Sequence, residues 1–155
     1  MKLFSEAAEY GLRTAIWLAD HPGQLWTIRE IAAGTRSKPG YLIRVIQMLA
    51  RAGIVVSQRG VGGGVSLNAD PEVLTVLDVM NAVDPMARIK TCPLGLKSHG
   101  TNLCSMHRCI DQAMGMIEAE FRKVTILALL NDATQTHPLR ESVERLVKVG
   151  VTRGK

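Results

Sequence analysis

Three cysteines are the side chains best suited to chemistry, and they lie close together in the sequence at Cys92, Cys104 and Cys109. Thiolates are soft, electron-donating ligands for iron–sulfur clusters and zinc. An odd number of cysteines argues against a framework of structural disulfides. His107, three residues after Cys104, adds an imidazole to the same segment. The segment therefore predicts a metal or redox site.

Several occupants of that site agree with the residues. An iron–sulfur cluster, [2Fe–2S] or [4Fe–4S], is the first hypothesis. Zinc would accept Cys92, Cys104, Cys109 and His107. Without a metal, the thiols would act as redox switches or have no role. Enzyme catalysis is not expected, because Cys109 and His107 are two residues apart in a predicted helix and do not face each other.

Start and stop signals predict three helices ahead of the cysteines. Ser5 caps a first helix that runs to Asp20, and Thr27 with Glu30 forms a capping box for a short second helix, 28–34. A third helix runs to Ala52, with Ser37 as its predicted cap and a proline in its first turn. Two β-branched strands follow, 54–58 and 65–67, around a glycine-rich turn, and a fourth helix covers 74–83.

This order of elements is that of a winged helix-turn-helix, which places its recognition helix in the major groove of DNA. The predicted DNA-contacting residues lie on the second and third helices and on the wing: Thr27, Ser37, Lys38, Tyr41, Arg44, Arg59, Gly60 and Gly63. Lys38 and Arg44 can reach phosphates or guanine edges, and Tyr41 can pack on sugar or a thymine methyl group. Arg59 on a glycine-flanked turn can enter a narrow minor groove. A net charge of +5 and a pI near 9.4 suit a polyanionic partner.

The predicted fold class is mainly α with a small β-hairpin, a winged helix-turn-helix followed by a long dimerisation helix. Four segments are expected: the DNA-binding domain 1–84, a cysteine-containing loop 85–109, the dimerisation helix 110–134 and a tail 135–155 with a short amphipathic helix. The long helix, about 110–132, carries an apolar seam at heptad spacing that would pair two subunits: Ile110, Met114, Ile117, Phe121, Val124 and Ala128. No apolar run is long enough to span a bilayer, and a cytoplasmic location is expected.

The chain resembles the Rrf-two (Rrf2) family of bacterial transcriptional regulators over about residues 1–132. The resemblance is carried by five motifs in order: Glu9-Tyr10-Gly11-Leu12-Arg13, Ile28-x-Glu30-Ile31-Ala32, Leu49-x-x-Ala52-Gly53, Arg59-Gly60-x-x-Gly63-Gly64, and Leu77-x-Val79 with Ala82-Val83-Asp84. The resemblance implies a homodimer on a pseudo-palindromic operator and a cluster held by three cysteines before the long helix. It also implies a fourth ligand, either Glu9 of the partner subunit or His107.

The cysteine spacing departs from the family pattern. Family cysteines lie about five to seven residues apart, whereas eleven and four residues separate those of this chain. When Cys104 is aligned with the third family cysteine, the middle position falls at Ser98, and Cys109 becomes an extra thiol in the helix. The sequence-based hypothesis is a dimeric repressor controlled by an iron–sulfur cluster that senses redox state, nitric oxide or iron. The alternative is a metal-free winged-helix regulator that responds through its thiols or a small molecule.

Overall fold

A computed structural model describes residues 4–99, 102–132 and 139 of the chain. The order of elements is α1 (Glu6–Ala19), α2 (Ile28–Thr35), α3 (Pro39–Arg51), β1 (Val55–Gln58), β2 (Gly64–Leu67), α4 (Val76–Val83), a 3₁₀ turn (Lys97–His99), α5 (Ser105–Phe121) and α6 (Ile126–Leu130). The predicted fold class, mainly helical with one antiparallel hairpin, is confirmed.

Side-chain caps fix where the first two helices begin. Ser5 accepts a hydrogen bond from the backbone N–H of Ala8 at 3.2 Å. Thr27 and Glu30 form a complete capping box, in which the Thr27 backbone N–H and hydroxyl each donate to Glu30 Oε2 at 2.8 Å. Both predicted caps are thus confirmed, and they satisfy N–H groups that have no partner inside the helix.

Ser37 was predicted to cap the third helix, and this prediction is wrong. The N-cap residue is Lys38, whose backbone N–H donates to the Tyr10 hydroxyl at 3.3 Å. The Ser37 hydroxyl instead accepts a hydrogen bond from Thr35 at 2.8 Å and is buried in the turn. Arg36 makes this turn possible by adopting a left-handed conformation, with φ of 52°.

The core forms around α1, which packs against α2, α3, α4 and α6. Its buried side chains are mostly aliphatic, as the sequence composition requires, and the largest fully buried ones include Trp17, Leu18, Ile31, Leu42, Leu49 and Met80. Two glycines allow close approach within this core. A Cβ atom at Gly11 would meet Val83, and one at Gly34 would collide with the Trp17 indole.

The wing is a two-stranded hairpin joined to the helical core by a third backbone segment. Val55 pairs with Leu67 and Gln58 pairs with Gly64. Trp26 extends the ladder, because it exchanges two backbone hydrogen bonds with Val65 at 2.8 and 3.0 Å. The base of the wing is therefore held at a fixed place beside α1 and α2.

The predicted long helix is not a single helix. Helix α5 begins at Ser105 rather than Ile110 and ends at Phe121, and α6 follows after a break. The break is set by long-range pairing: Val76 N–H donates to Val124 O and Ile126 N–H donates to Leu74 O, both at 2.9 Å. Thr125 then caps α6. Phe121 and Val124, from the second half of the predicted seam, therefore pack against the core of their own domain, whereas Ala128 is exposed.

Most of the predicted tail, 135–155, lies outside the described residues, as do positions 133 and 134. In the part of the chain that the structure describes, no helix is long and apolar enough to cross a membrane.

Candidate metal centre and nucleic-acid interface

Two thiols and two imidazoles converge in the segment between α4 and α5. Cys92 Sγ lies 3.1 Å from His99 Nδ1 and 3.6 Å from His107 Nδ1, and Cys104 Sγ lies 3.2 Å from His107 Nδ1. The ligand atoms of Cys92, His99 and Cys104 all lie within 4.8 Å of one another. We call these four residues the Cys–His centre.

The backbone around Cys92 is arranged to receive a thiolate. Gly95, at φ of 63°, closes a tight turn by donating its N–H to Cys92 O at 3.1 Å. Burial raises the pKa of the Cys92 thiol, but hydrogen bonds from the backbone N–H groups of Leu94 and Cys104 and from the two imidazoles outweigh it. The pKa of Cys92 is consequently lowered to about 6.

The other half of the centre belongs to α5. Cys104 is the N-cap residue of α5, its side chain makes no capping hydrogen bond, and His107 lies in the first turn. The centre thus joins the loop after α4 to the start of α5.

Cys109 and Glu9 lie outside the Cys–His centre of the single chain. Cys109 is exposed on α5 and is not part of the Cys–His centre. Glu9 lies on α1, where its Oε1 accepts hydrogen bonds from Arg13 at 2.8 and 3.0 Å. A contribution of Glu9 to the partner subunit stays a prediction.

His99 is a member of the Cys–His centre that the sequence analysis did not name as a ligand. Its side chain is half-buried, and the 3₁₀ turn 97–99 brings it to Cys92. The available signal was the spacing Cys92-x₆-His99-x₄-Cys104-x₂-His107, which interleaves the two ligand types. No family pattern of three cysteines draws attention to it.

The exposed face of α3 carries the predicted base-reading residues. Leu42, Val45 and Leu49 are fully buried, so Tyr41 and Arg44 lie on the outer surface. Tyr41 packs edge-on against Tyr10, with ring centroids 5.6 Å apart. Lys38 Nζ is exposed and 3.6 Å from Glu6 Oε1. These contacts join the start of α3 to α1 and leave the polar face of α3 exposed.

The wing tip is exposed from Arg59 to Gly62. Gly60 and Gly62 have φ of 98° and 77°, a region that favours glycine. A Cβ atom at Gly63 would collide with the backbone oxygen of Gln58. The glycines therefore permit the tight turn that presents Arg59.

The remaining two predicted contacts are partly engaged in the fold. The Thr27 hydroxyl is exposed but belongs to the capping box of α2. Ser37 is buried and bonded to Thr35, so its side chain is poorly placed to reach a phosphate.

Comparison with known proteins agrees with this architecture. The model of the family Rrf2, described as an iron-dependent transcriptional regulator, matches residues 4–132. A protein of Aquifex aeolicus (strain VF5) named as an HTH-type transcriptional regulator is 26% identical over 132 residues, which covers 83% of this chain and 92% of that protein.

Solved structures share the fold. T. potens IscR superposes with a TM-score of 0.69 at 24% identity, covering 88% of this chain and 92% of that one. CymR (YrzC), the global cysteine regulator of B. subtilis, superposes with a TM-score of 0.66 at 21% identity, covering 83% and 96%. At these identities the likeness establishes the winged-helix fold alone.

Proposed function

Because the chain belongs to the Rrf2 family of transcriptional regulators, we propose that it is a homodimeric, cytoplasmic repressor whose binding to operator DNA is controlled by an inorganic group at the Cys–His centre. One observation carries the proposal: the centre spans the loop after α4 and the first turn of α5. A group bound there would constrain the helix that we expect to form the dimer.

Operator recognition is assigned to α3 and the wing. Arg44 and Tyr41 are exposed beside the N-terminal turns of α3, the part of a recognition helix that meets base edges. Arg59, on the wing, would lie in the adjacent minor groove or on its phosphates. Lys38 and the Thr27 hydroxyl would contact the phosphate backbone.

Dimerisation is assigned to α5, and the occupant of its exposed face is a second copy of the chain. No residue of α5 is buried within the described chain. Four of its exposed or half-buried apolar side chains form a stripe at helical spacing, Met106, Ile110, Ala113 and Ile117, whereas Met116 and Ala119 lie off it. The predicted seam keeps Ile110 and Ile117 but loses Phe121, which packs against Phe4 with ring centroids 5.5 Å apart. Two half-sites give a winged helix the contacts that a single copy lacks.

A group bound at the Cys–His centre would control operator binding if the occupied and empty centres favour different positions of α5. A ligand shifts an equilibrium only by its difference in affinity for the two states. Since His107 and Cys104 lie at the start of α5, a group bound to them and to Cys92 would hold that helix relative to the DNA-binding domain. The spacing of the two recognition helices would then depend on occupancy.

An iron–sulfur cluster is the favoured occupant, because the Rrf2 family is described as iron-dependent. On these residues it would be held by Cys92 and Cys104 with imidazole nitrogens rather than by three thiols, because Cys109 is exposed outside the centre. Mixed cysteine and histidine ligation of a [2Fe–2S] cluster has precedent in protein chemistry.

A metal-free thiol switch is the second candidate. It is favoured by the proximity of Cys92 and Cys104, whose sulfur atoms lie within 4.8 Å of each other. A two-electron oxidant such as a peroxide would join the two sulfurs in a disulfide, with the two electrons and two thiol protons leaving in the water formed, and the bond would again constrain the start of α5. This candidate requires operator affinity to depend on thiol oxidation and not on metal.

The test uses the full chain purified without oxygen. Genomic fragments that it retains define the operator, and binding is then measured for the loaded and the chelator-treated protein at fixed salt. We expect operator affinity to change at least tenfold between the two states, a coupling within the usual range of about 1–3 kcal/mol.

Two variants serve as matched controls for this test. Cys92→Ser should bind the operator with the affinity of the chelator-treated protein. Cys109→Ser makes the same change outside the centre and should bind as the parent does. Equal operator affinity with and without the metal would disprove control by the centre. Retention of no genomic fragment would remove the DNA-binding proposal as well.

A further inference from the structure

The Cys–His centre contains short contacts between cysteine sulfur and histidine nitrogen atoms, and their lengths indicate what the centre binds. We propose that Cys92, His99, Cys104 and His107 of a single chain bind one zinc ion with tetrahedral coordination. This inference rests on the proposed function only in taking the centre to be a metal site, and it names the ion.

The distances between ligand atoms are those of a single coordination sphere. With Zn–S bonds of about 2.3 Å and Zn–N bonds of about 2.0 Å, adjacent ligand atoms of a tetrahedron lie about 3.5 Å apart. The three sulfur–nitrogen distances in the centre are 3.1, 3.2 and 3.6 Å. The Cys92, His99 and Cys104 ligand atoms also stay within 4.8 Å of one another. His107 Nδ1 contacts both sulfur atoms, so an ion held by Cys92, His99 and Cys104 would lie next to His107 as well.

A cluster requires its ligands to be arranged differently. The ligands of a [2Fe–2S] cluster are divided between two irons, and those of a [4Fe–4S] cluster among four, so the inorganic core separates them. In the centre, however, Cys92 is near both imidazoles, and His107 is near both thiols. Three sulfur–nitrogen pairs therefore already have the separation expected around one ion, which favours a single ion over a larger core.

The charge and the type of the donors also fit zinc. Two thiolates and two neutral imidazoles together neutralise the charge of a divalent cation. A neutral site suits this centre because Cys92 is buried, and burying a net charge is costly. A tetrahedral set of two sulfur and two nitrogen ligands is characteristic of structural zinc sites, which keep no open position. The tight turn at Cys92–Gly95 and the first turn of α5 hold the donors before the ion binds.

The experiment measures metal stoichiometry and coordination in the full chain. Protein purified without oxygen from cells supplied with both iron and zinc is analysed for zinc, iron and acid-labile sulfide. We expect one zinc per chain and no sulfide. Iron with matching sulfide, iron alone, or no metal would each overturn the inference.

Cobalt(II) tests the geometry, because its visible bands are intense in tetrahedral sites. Titration of the metal-free protein should give these bands together with thiolate-to-cobalt charge transfer. His99→Ala and His107→Ala should each weaken cobalt binding by more than the 10- to 100-fold that loss of an outer partner costs. Cys109→Ser should leave the affinity and the spectrum unchanged. Loss of binding in Cys109→Ser with retention in His99→Ala would instead assign the metal to three thiols.

A conservative variant separates ligation from folding. His99→Cys should retain a tetrahedral cobalt spectrum with stronger thiolate charge transfer, since a third sulfur joins the ion. An unchanged spectrum would show that residue 99 does not bind the metal. A cluster in a protein whose operator binding still depends on Cys92 would refute the zinc ion and leave the proposed function intact. If the protein binds zinc but its operator affinity is the same with and without zinc, the zinc inference stands and control of DNA binding by the centre is refuted.

Discussion

Arg88 and Asp111 are joined by two short hydrogen bonds, from Nε to Oδ1 at 2.8 Å and from Nη2 to Oδ2 at 2.6 Å. Asp111 Oδ1 also accepts the backbone N–H of Ile89 at 2.9 Å. Arg88 precedes the Cys–His centre in the chain and Asp111 follows it, so this pair closes the segment that contains the centre. The bidentate geometry makes it stronger than an ordinary surface ion pair.

Asp111→Asn should lower the melting temperature of the protein by a few degrees near neutral pH. Hydrogen bonds from Arg88 and from the Ile89 backbone lower the pKa of Asp111 in the folded protein. A lowered pKa means that the stabilisation is complete above the unfolded value of about 3.9 and is lost as pH falls through the folded value. The melting temperatures of variant and parent should therefore converge in acid.

Glu120→Gln is the matched control, because Glu120 is two-thirds exposed and its ion pair in the described part of the chain, with Lys123 at 3.0 Å, lies on the surface. Its melting temperature should stay close to that of the parent at all pH values. Equal effects of the two substitutions, measured by thermal unfolding from pH 3 to 7, would contradict a special role for the Arg88–Asp111 pair.

Local signals in the sequence predicted the caps of α1 and α2 and the order of helices and strands up to α4. The capping box of Thr27 and Glu30 involves residues three apart, and the buried stripe of α3 repeats every turn, so both can be read from neighbouring residues. The error at Ser37 arose because its hydroxyl has a competing partner, Thr35, in a turn that depends on the left-handed Arg36.

Long-range contacts explain what the sequence did not reveal. The break after α5 exists because Val124 and Ile126 pair with the backbone of Val76 and Leu74 at the start of α4, some fifty residues earlier. The inclusion of His99 and the exclusion of Cys109 likewise depend on how the loop folds back on α5. No helical period or short motif encodes these placements.

Ile110→Glu should convert the proposed dimer into monomers. Ile110 is 45% exposed in the single chain and lies in the middle of the apolar stripe of α5, so a charge there would be buried without a partner on dimerisation. Gln112→Glu adds the same charge on an exposed face away from the stripe and should leave the dimer intact. Sedimentation equilibrium measures both. A parent protein that is already monomeric, or a dimeric Ile110→Glu, would refute the proposed interface.

Arg44→Ala should weaken operator binding by about 1–3 kcal/mol, the usual loss for a base-contacting arginine, and should relax the base preference at one position of each half-site.

Arg59→Ala should also weaken operator binding. If Arg59 contacts phosphate, the slope of log affinity against log salt should fall by about one for each subunit. Lys123→Ala removes one positive charge from the far end of α5 and is the control. Equal losses for all three variants would indicate a general charge effect rather than an interface.

Gly63→Ala tests whether the shape of the wing matters apart from its charge. A Cβ atom at residue 63 would collide with the Gln58 backbone, so the turn would have to open and would displace Arg59. Operator affinity should fall about as far as in Arg59→Ala, while the melting temperature changes little because the wing tip is exposed. Gel-shift titration and thermal unfolding provide the two measurements. Full operator affinity in Gly63→Ala would mean that the wing does not need this turn.

Removal of the bound metal should loosen one region and leave the rest unchanged. Residues 92–99 and 102–107 owe their mutual placement to contacts among Cys92, His99, Cys104 and His107, whereas α1 and α3 are fixed by the buried core. Amide hydrogen exchange in these two stretches should therefore accelerate on chelation, while α1 and α3 keep their protection. Cys92→Ser should show the accelerated pattern without chelator. Because coupling to DNA requires the start of α5 to respond to the centre, unchanged exchange at residues 105–107 would remove the physical link between metal and operator.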